Sequence, residues 1–514
     1  MTNQRYQLLL FLVLSCFTAL AQQSPDILHY RFDVTLTDAS DRIQMIEQVQ
    51  FRPQWADSLR LDLDESMTVA SLSLDGEELP FVHENDQVVI PLPESNEAME
   101  LGLTYSGEPQ DGLIISRNEY GRRTFFSDHW PNRAHYWLAV VDHPTEKASC
   151  EFVVTAPSQY SVVSNGLLQS EESLDGNAKK THWKMKHPIP TKVMAMGVAD
   201  FEVNELDSLS KTWLYRYGGR DYKTDFLEAN KVRQFLIDQI APYPFDKLDH
   251  VESTTKYGGM ENAGCIFYRE SSVNDKGEIV GLIAHEVAHQ WFGNSASEAG
   301  WEHIWLSEGF ATYYEYLTIK AFYGLDSMRA LADEIELKIM DYEDSHPNQA
   351  VLNQNYEQLD DILNALSYDK AGWMLRMLHH YVGEDLFNQI VKTYYEKYKY
   401  SNATTDDFIA VAEQVSGQDL KFFFHQWLVV PGRPHVVCSY KFKRGVLELD
   451  FEQKSSHIYT LKIDVPVMLS HNKMEIRSVL LNERQQSFKI KDVLIEGKPN
   501  LDPLNLIYGF IEIK

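Results

Sequence analysis

Two histidines four residues apart, His285 and His289, flank Glu286 in the stretch HEVAHQW (285–291). On a helix, side chains four positions apart stack on one face, so both imidazoles can reach a single point. The chemistry open to such a pair is capture of a dication. Zn²⁺ binds imidazole nitrogen at ~2.0–2.1 Å, and Glu286, one step around the helix, could hydrogen-bond a water there without being a ligand. A third donor is available in WEHIWLSEGFATYYEYL, where Glu308 follows His289 by nineteen residues. That interval lets the chain end one helix, cross a loop and return a carboxylate from a second helix. Two histidines and a carboxylate leave one tetrahedral position for water, the layout of a reactive site and not of a closed structural one.

The elements that must hold these groups are legible around them. Val280, Ile283, Ala284, Val287, Ala288 and Trp291 recur at three- and four-residue steps, which predicts a helix over 277–292 with one buried stripe, and Gly293-Asn294 supplies its stop. Upstream, from His29 to about Phe201, alternating runs such as HYRFDVTLT and EFVVTAP predict strands. From about Tyr222 the period becomes helical, in DFLEANKVRQFLIDQI, GFATYYEYLTIKAFYG, YDKAGWMLRMLHHYVG and LFNQIVKTYYEKY, and after Pro431-Gly432 strands return in HVVCSYKFK, VLELDFEQ and TLKIDVPVML. The expected division is an all-β unit at 22–205, a mostly helical unit at 206–430 and a small β-sandwich at 431–514, a multidomain α+β chain.

Bulk properties narrow the partners. A chain of 514 residues, 44% apolar, can bury more than one core. Asp and Glu outnumber Lys and Arg by 75 to 47, a net charge of −28, which excludes the concentrated cationic face that nucleic acid requires. Arg5, the apolar run Leu8 to Phe17 and Ala19-Leu20-Ala21 have the order of an export signal over 1–21, so the mature chain is expected to begin at Gln22 and to be periplasmic or secreted. A lipid anchor on Cys16 is the rival reading. No later stretch approaches the ~20 apolar residues of a membrane helix, so none is expected in the mature chain. Cys150, Cys265 and Cys438 are too sparse for a disulfide framework. Nothing in the pattern fixes an oligomeric state.

Four motifs, GGMENAG (258–264), HEVAHQWFGN (285–294), WLSEGFATYYE (305–315) and YDKAGWMLRML (368–378), occur in an order and spacing that resembles the gluzincin aminopeptidases related to aminopeptidase N and leukotriene-A hydrolase. The resemblance extends over about residues 26 to 510 through APYPFDKLDHV and DHPTEKASCEFVVTAP. It implies an N-terminal β domain, a thermolysin-like, mostly helical catalytic domain and a C-terminal β domain. It further implies one Zn²⁺ per chain held by His285, His289 and Glu308, Glu286 as general base, and Tyr368 as hydrogen-bond donor to a developing oxyanion. In the family, glycines such as Gly258 and Gly259 let an extended peptide approach the backbone beside Met260 and Asn262, while Glu261 pairs with a free α-ammonium group. The implied substrate is a peptide with a free N-terminus, cleaved at its first bond.

Two departures stand out. Relatives often carry Gln-x-Glu about a dozen residues before the segment that here reads DHP; counting back from Asp142, Asp128 takes the glutamine position and Trp130 the glutamate position. The second acidic contact to the amine is either missing here or replaced by Asp128; the expectation is Asp128 as an auxiliary amine contact, with a structural turn residue as the alternative. No large helical lid domain is expected, since the chain reads as strands after Pro431. Two other activities fit the scaffold: lipid epoxide hydrolysis, for which Asp360 would be the acidic group, and peptide binding without catalysis, which the intact Glu286 opposes.

Overall fold

The computed structural model describes residues 24–352, 356–469, 473–494 and 498–514; residues 1–21 and Cys16, the subject of the export and anchor expectations, lie outside them. Alternation of buried and exposed residues drives the first unit. Ile43–Arg52 alternates strictly, turning Ile43, Met45, Val49 and Phe51 inward. Such strands assemble an eight-stranded sheet whose centre joins Lys147–Pro157 and Asp26–Thr35 in parallel, with Ile43–Arg52 antiparallel on the other side. A four-stranded sheet (Ser161–Ser164, Met196–Ala199, Arg123–Ser127, Leu113–Arg117) meets the second unit, Phe126 packing edge-on against Phe267 with 5.3 Å between ring centroids.

The boundary falls earlier than the sequence suggests. Phe201–Glu205 pairs antiparallel with Lys211–Tyr215 and so opens the five-stranded sheet of the second unit instead of closing the first. This sheet runs Phe201–Glu205, Lys211–Tyr215, Asp249–Ser253, Cys265–Arg269, Gly259–Met260. The last of these is an edge strand, paired on one side only.

Behind the sheet lie the helices. The histidine helix spans Val280–Ala288, shorter than the expected 277–292, and its apolar stripe is buried as its spacing requires. A glutamate helix, Trp305–Tyr323, packs against it and against Ala371–Val382. The second contact is unusually close. A Cβ on Gly309 would lie 2.7 Å from that of Ala371, and one on Gly372 would lie 2.9 Å from Cγ2 of Thr312, so two glycines let these helices touch backbone to backbone. Among the described residues no helix is long and apolar enough to cross a membrane.

The third unit stacks a sheet of Gln485–Lys491, Val446–Gln453, His435–Lys443 and Phe510–Ile513 against one of Met474–Leu481, Leu461–Leu469 and Val493–Leu494, as expected of a sandwich. Leu447, Leu449, Ile463 and Val465 bury into the same core as the helices. A buried ionic joint reinforces this seam: Glu343 accepts from Lys370 Nζ at 2.7 Å, Arg433 Nη1 at 3.1 Å and the Tyr508 hydroxyl at 2.6 Å. Glu343→Gln, which leaves Lys370 with a neutral partner, is expected to cost about 2 kcal/mol, read as a lower urea midpoint; an unchanged midpoint would remove the joint from the account of stability. Cys150, Cys265 and Cys438 are free and buried.

Candidate active site

The histidine and glutamate helices bring the three expected donors together. Nε2 of His289 lies 3.2 Å and Nε2 of His285 lies 3.5 Å from Oε2 of Glu308. Two donors on one tetrahedral Zn²⁺ should be separated by about 3.3 Å, a value these two contacts bracket. All three ligand atoms lie within 4.8 Å of one another. Oε2 of Glu308 is buried and accepts no hydrogen bond, an orphaned acceptor that a cation would satisfy. The far side of each imidazole is oriented as metal ligands require. Nδ1 of His289 donates to the Phe292 carbonyl at 3.1 Å, with the Ser307 hydroxyl at 3.2 Å, while Nδ1 of His285 faces Glu315 at 3.5 Å. The residues present therefore fit a zinc ion.

Glu315 was not anticipated, although its position seven residues after Glu308 on the same helix puts both carboxylates on one face. Burial disfavours charge on His285, yet the carboxylates of Glu308 and Glu315 outweigh it and raise its pKa well above the ordinary value. For Glu308 the balance runs the other way: burial pushes its carboxyl up, and His289 and His285 together hold it well below the usual range.

Glu286 projects beside the trio without joining it. Its seat is made by Gly259 on the edge strand, where a Cβ would lie 2.6 Å from Cδ and 2.8 Å from Cγ of Glu286, so a side chain there would displace the carboxylate. Burial raises the Glu286 pKa to about 8, against the pull of His285 and His289. A dication nearby acts in the same direction as those histidines.

The strand Gly259–Met260 leads into Glu261, whose main-chain carbonyl is pinned by Nε2 of Gln290 at 3.0 Å and Nδ2 of Asn294 at 2.7 Å. Both amides come from the segment just past the histidines, and sequence reading missed this coupling. Glu261 is 5% exposed, and its Oε1 is buried without a partner. Burial raises its pKa, with His289 opposing. Asn262 is buried beside it, and its main-chain carbonyl accepts from the N–H of Cys265 at 3.0 Å.

Tyr368 sits in a π turn, Leu366–Lys370, closed by the N–H of Lys370 on the carbonyl of Ala365 at 2.8 Å. Such turns insert one residue into a helix and re-aim a side chain. The Tyr368 ring lies parallel to that of His285, 5.8 Å between centroids and 5° apart in plane. Burial raises its pKa well above the ordinary value, and the carboxylates of Glu308, Glu261 and Glu286 add to the rise, so the hydroxyl keeps its proton.

The donor trio, Glu286, Glu261, Glu315 and Tyr368 share one cavity of about 340 Å³, lined also by Trp130, Tyr257, Gly258, Leu282 and Leu363; Asn262, expected beside the substrate, is buried behind it and does not line it. Asp128 does not line it, which corrects the expectation that it contacts an amine. It is fully buried, ion-paired with Arg133 and accepting the Lys256 N–H at 2.7 Å, and it positions the loop before Gly258. Trp130, two residues on, faces the cavity instead. Asp360 is likewise engaged elsewhere, in an ion pair with Lys256 at 2.9 Å, and does not line the cavity.

Known proteins resemble this chain over most of its length. Residues 27–193 match the Peptidase M1 N-terminal domain and residues 229–427 the Peptidase family M1 domain. Aminopeptidase M1-C of Oryza sativa subsp. japonica is 30% identical over 434 residues, which are 79% of this chain and 47% of that protein. Probable aminopeptidase 2 of Sulfurisphaera tokodaii is 26% identical over 459 residues, 85% of this chain and 58% of its own. The chain spans about half the length of the curated relatives it matches. A crystal structure of Legionella pneumophila aminopeptidase A in complex with aspartic acid has the same fold, with a TM-score of 0.82 over 96% of this chain and 60% of that one at 17% identity.

Proposed function

From the membership of this chain in peptidase family M1, we propose that it is a zinc-dependent aminopeptidase that hydrolyses the first bond of peptides with a free N-terminus. The observation that carries this reading is the unpartnered, buried Oε1 of Glu261 in the same cavity as Glu286 and the donor trio. An acceptor so placed is costly to bury unless a cation meets it, and an α-ammonium group is the cation a peptide brings. Held there, the ammonium sets the register, and only the first peptide bond lies beside the trio.

His285, His289 and Glu308 would hold one zinc ion per chain, which supplies Lewis acidity toward a carbonyl and lowers the pKa of water. Glu286 then accepts the proton of the attacking water and returns it to the departing amine. Tyr368 donates a hydrogen bond to the carbonyl oxygen as negative charge builds on it. The free edge of Gly259–Met260 offers main-chain groups to an extended peptide, as in strand addition. Family relatives carrying aminopeptidase names support the same activity. No observation favours epoxide hydrolysis, because Asp360 is paired outside the cavity.

An aminoacyl p-nitroanilide and its N-acetylated form test the reading. The protein loaded with zinc is expected to cleave the free amine and to spare the blocked one by about 100-fold or more, the cost of leaving Glu261 without its cation. Equal cleavage of both would refute an aminopeptidase, and full activity after chelation would refute the metal.

A further inference from the structure

The cavity has two ends. Glu261 lies on the His289 side, its carbonyl held by Gln290 and Asn294 just past that residue, and Glu315 lies beyond His285. If the chain is an aminopeptidase, a reading on which the preference argued here rests, the ammonium at Glu261 puts the first residue at that end and later residues toward Leu282 and Glu315. The apolar walls of the cavity are Trp130, Tyr257, Met260, Leu282 and Leu363, and Met260 directly precedes Glu261 on the edge strand. Lys192 ties Trp130 to this end, since its Nζ lies 5.7 Å from the Trp130 ring while the carbonyl of the next residue, Val193, accepts the N–H of Ala263, two residues past Glu261, at 3.1 Å. The ion pair of Lys256 with Asp360 fastens the segment carrying Tyr257 to the one carrying Leu363.

Among the described residues no lysine or arginine lines the cavity, and four carboxylates do: Glu261, Glu286, Glu308 and Glu315. The nearest cations are already neutralised. Lys192 is paired with Glu298 at 2.5 Å, Lys256 with Asp360, and Arg133 with both Asp128 and Asp111. A carboxylate on the first residue would lose its water against apolar walls, gain no partner, and stand beside like charges. A guanidinium or ammonium would meet only committed carboxylates, because Glu261 is taken by the α-amine, Glu308 belongs to the donor trio, Glu286 serves the water and Glu315 faces His285 at 3.5 Å. An indole, a phenol ring, a thioether and an isobutyl group are what the remaining surface offers, and apolar side chains match it.

We propose that the substrates are peptides whose first residue is bulky, uncharged and apolar, and that an acidic first residue is rejected. Discrimination of this kind comes from the missing partner as much as from the favourable contact. For the enzyme holding zinc, kcat/KM for Leu and Phe p-nitroanilides is expected to exceed that for Glu and Asp by about 100-fold, and to exceed that for Ala and Arg. A ratio below tenfold against either acidic substrate, or Ala or Arg as the best substrate, overturns the proposal. Leu363→Lys, which puts a cation into the wall, is expected to raise the Glu-to-Leu ratio about tenfold or more; an unchanged ratio counts against this wall as the determinant.

Binding separates this inference from the activity beneath it. Calorimetry with zinc-loaded Glu286→Gln is expected to find Phe-Gly bound at least about tenfold more tightly than Glu-Gly, whether or not the unaltered enzyme turns either over. Equal binding refutes the preference alone. A preserved preference in a protein that hydrolyses no free-amine substrate refutes the activity and leaves the pocket assignment standing.

Discussion

Glu286→Gln is expected to keep one zinc per chain and to lose turnover by roughly 10³–10⁴-fold, the upper range of what a positioned general base contributes. The expectation rests on separating holding from reacting. Glu286 is outside the donor trio, and an amide of the same shape still fits the seat that Gly259 leaves open. What the amide lacks is the capacity to take a proton from water and return it to the leaving nitrogen. Metal content by elemental analysis, read beside kcat, tests both halves. Turnover within tenfold of the parent would remove Glu286 from the chemistry, and lost zinc would make it a ligand or a structural support.

The zinc-free protein offers a further check on the same residue. Burial raises the Glu286 pKa from 4.5 to about 8, so the folded chain binds this proton more tightly than the unfolded chain does. A carboxyl group with a raised folded-state pKa favours folding at low pH, and that contribution is lost as pH climbs from about 4.5 to about 8. The glutamine variant has no proton to lose there, so its apoprotein should lack this part of the pH slope.

How much of the fold and site is legible beforehand depends on how local each signal is. The metal trio is legible because helical spacing alone puts His285 and His289 on one face, and Glu308 needs only a second helix to return it. The β-rich first unit is legible from strict alternation, as in Ile43–Arg52. The helix Leu325–Ser345 escapes notice although Met328, Ala332, Ile335 and Ile339 keep helical spacing and are buried, because its other face is crowded with carboxylates that dilute the pattern. Asp128 fails for a different reason. Counting from Asp142 gives its place along the chain but says nothing of Arg133, five residues away, which pairs with it inside the fold. Glu315 and Gln290 act through contacts with His285 and Glu261, and only the folded structure shows those contacts. The π turn is the hardest case, since one added residue in a helix leaves no periodic trace short enough to notice.

Tyr368→Phe, a change at the centre of that turn, should lower kcat by about 10²–10³-fold while KM changes only a few-fold and zinc stays bound, the signature of losing one donor to a developing oxyanion. The ring is kept, and with it the parallel contact to His285 at 5.8 Å, so the ligand on which it lies has no reason to move. The backbone is kept as well. Lys370 remains bound to Glu343 at 2.7 Å and Asp369 to Lys338 at 2.7 Å, contacts that hold the turn just after position 368. Only the hydroxyl is removed, and its raised pKa means that the group removed is a donor and not an anion. A neutral donor among Glu308, Glu261 and Glu286 gains most when charge appears on the substrate oxygen, which is why the loss should fall on kcat. A variant with unchanged kcat and a raised KM would show instead that the hydroxyl binds the ground state, and the oxyanion role would have to pass to another donor in the cavity.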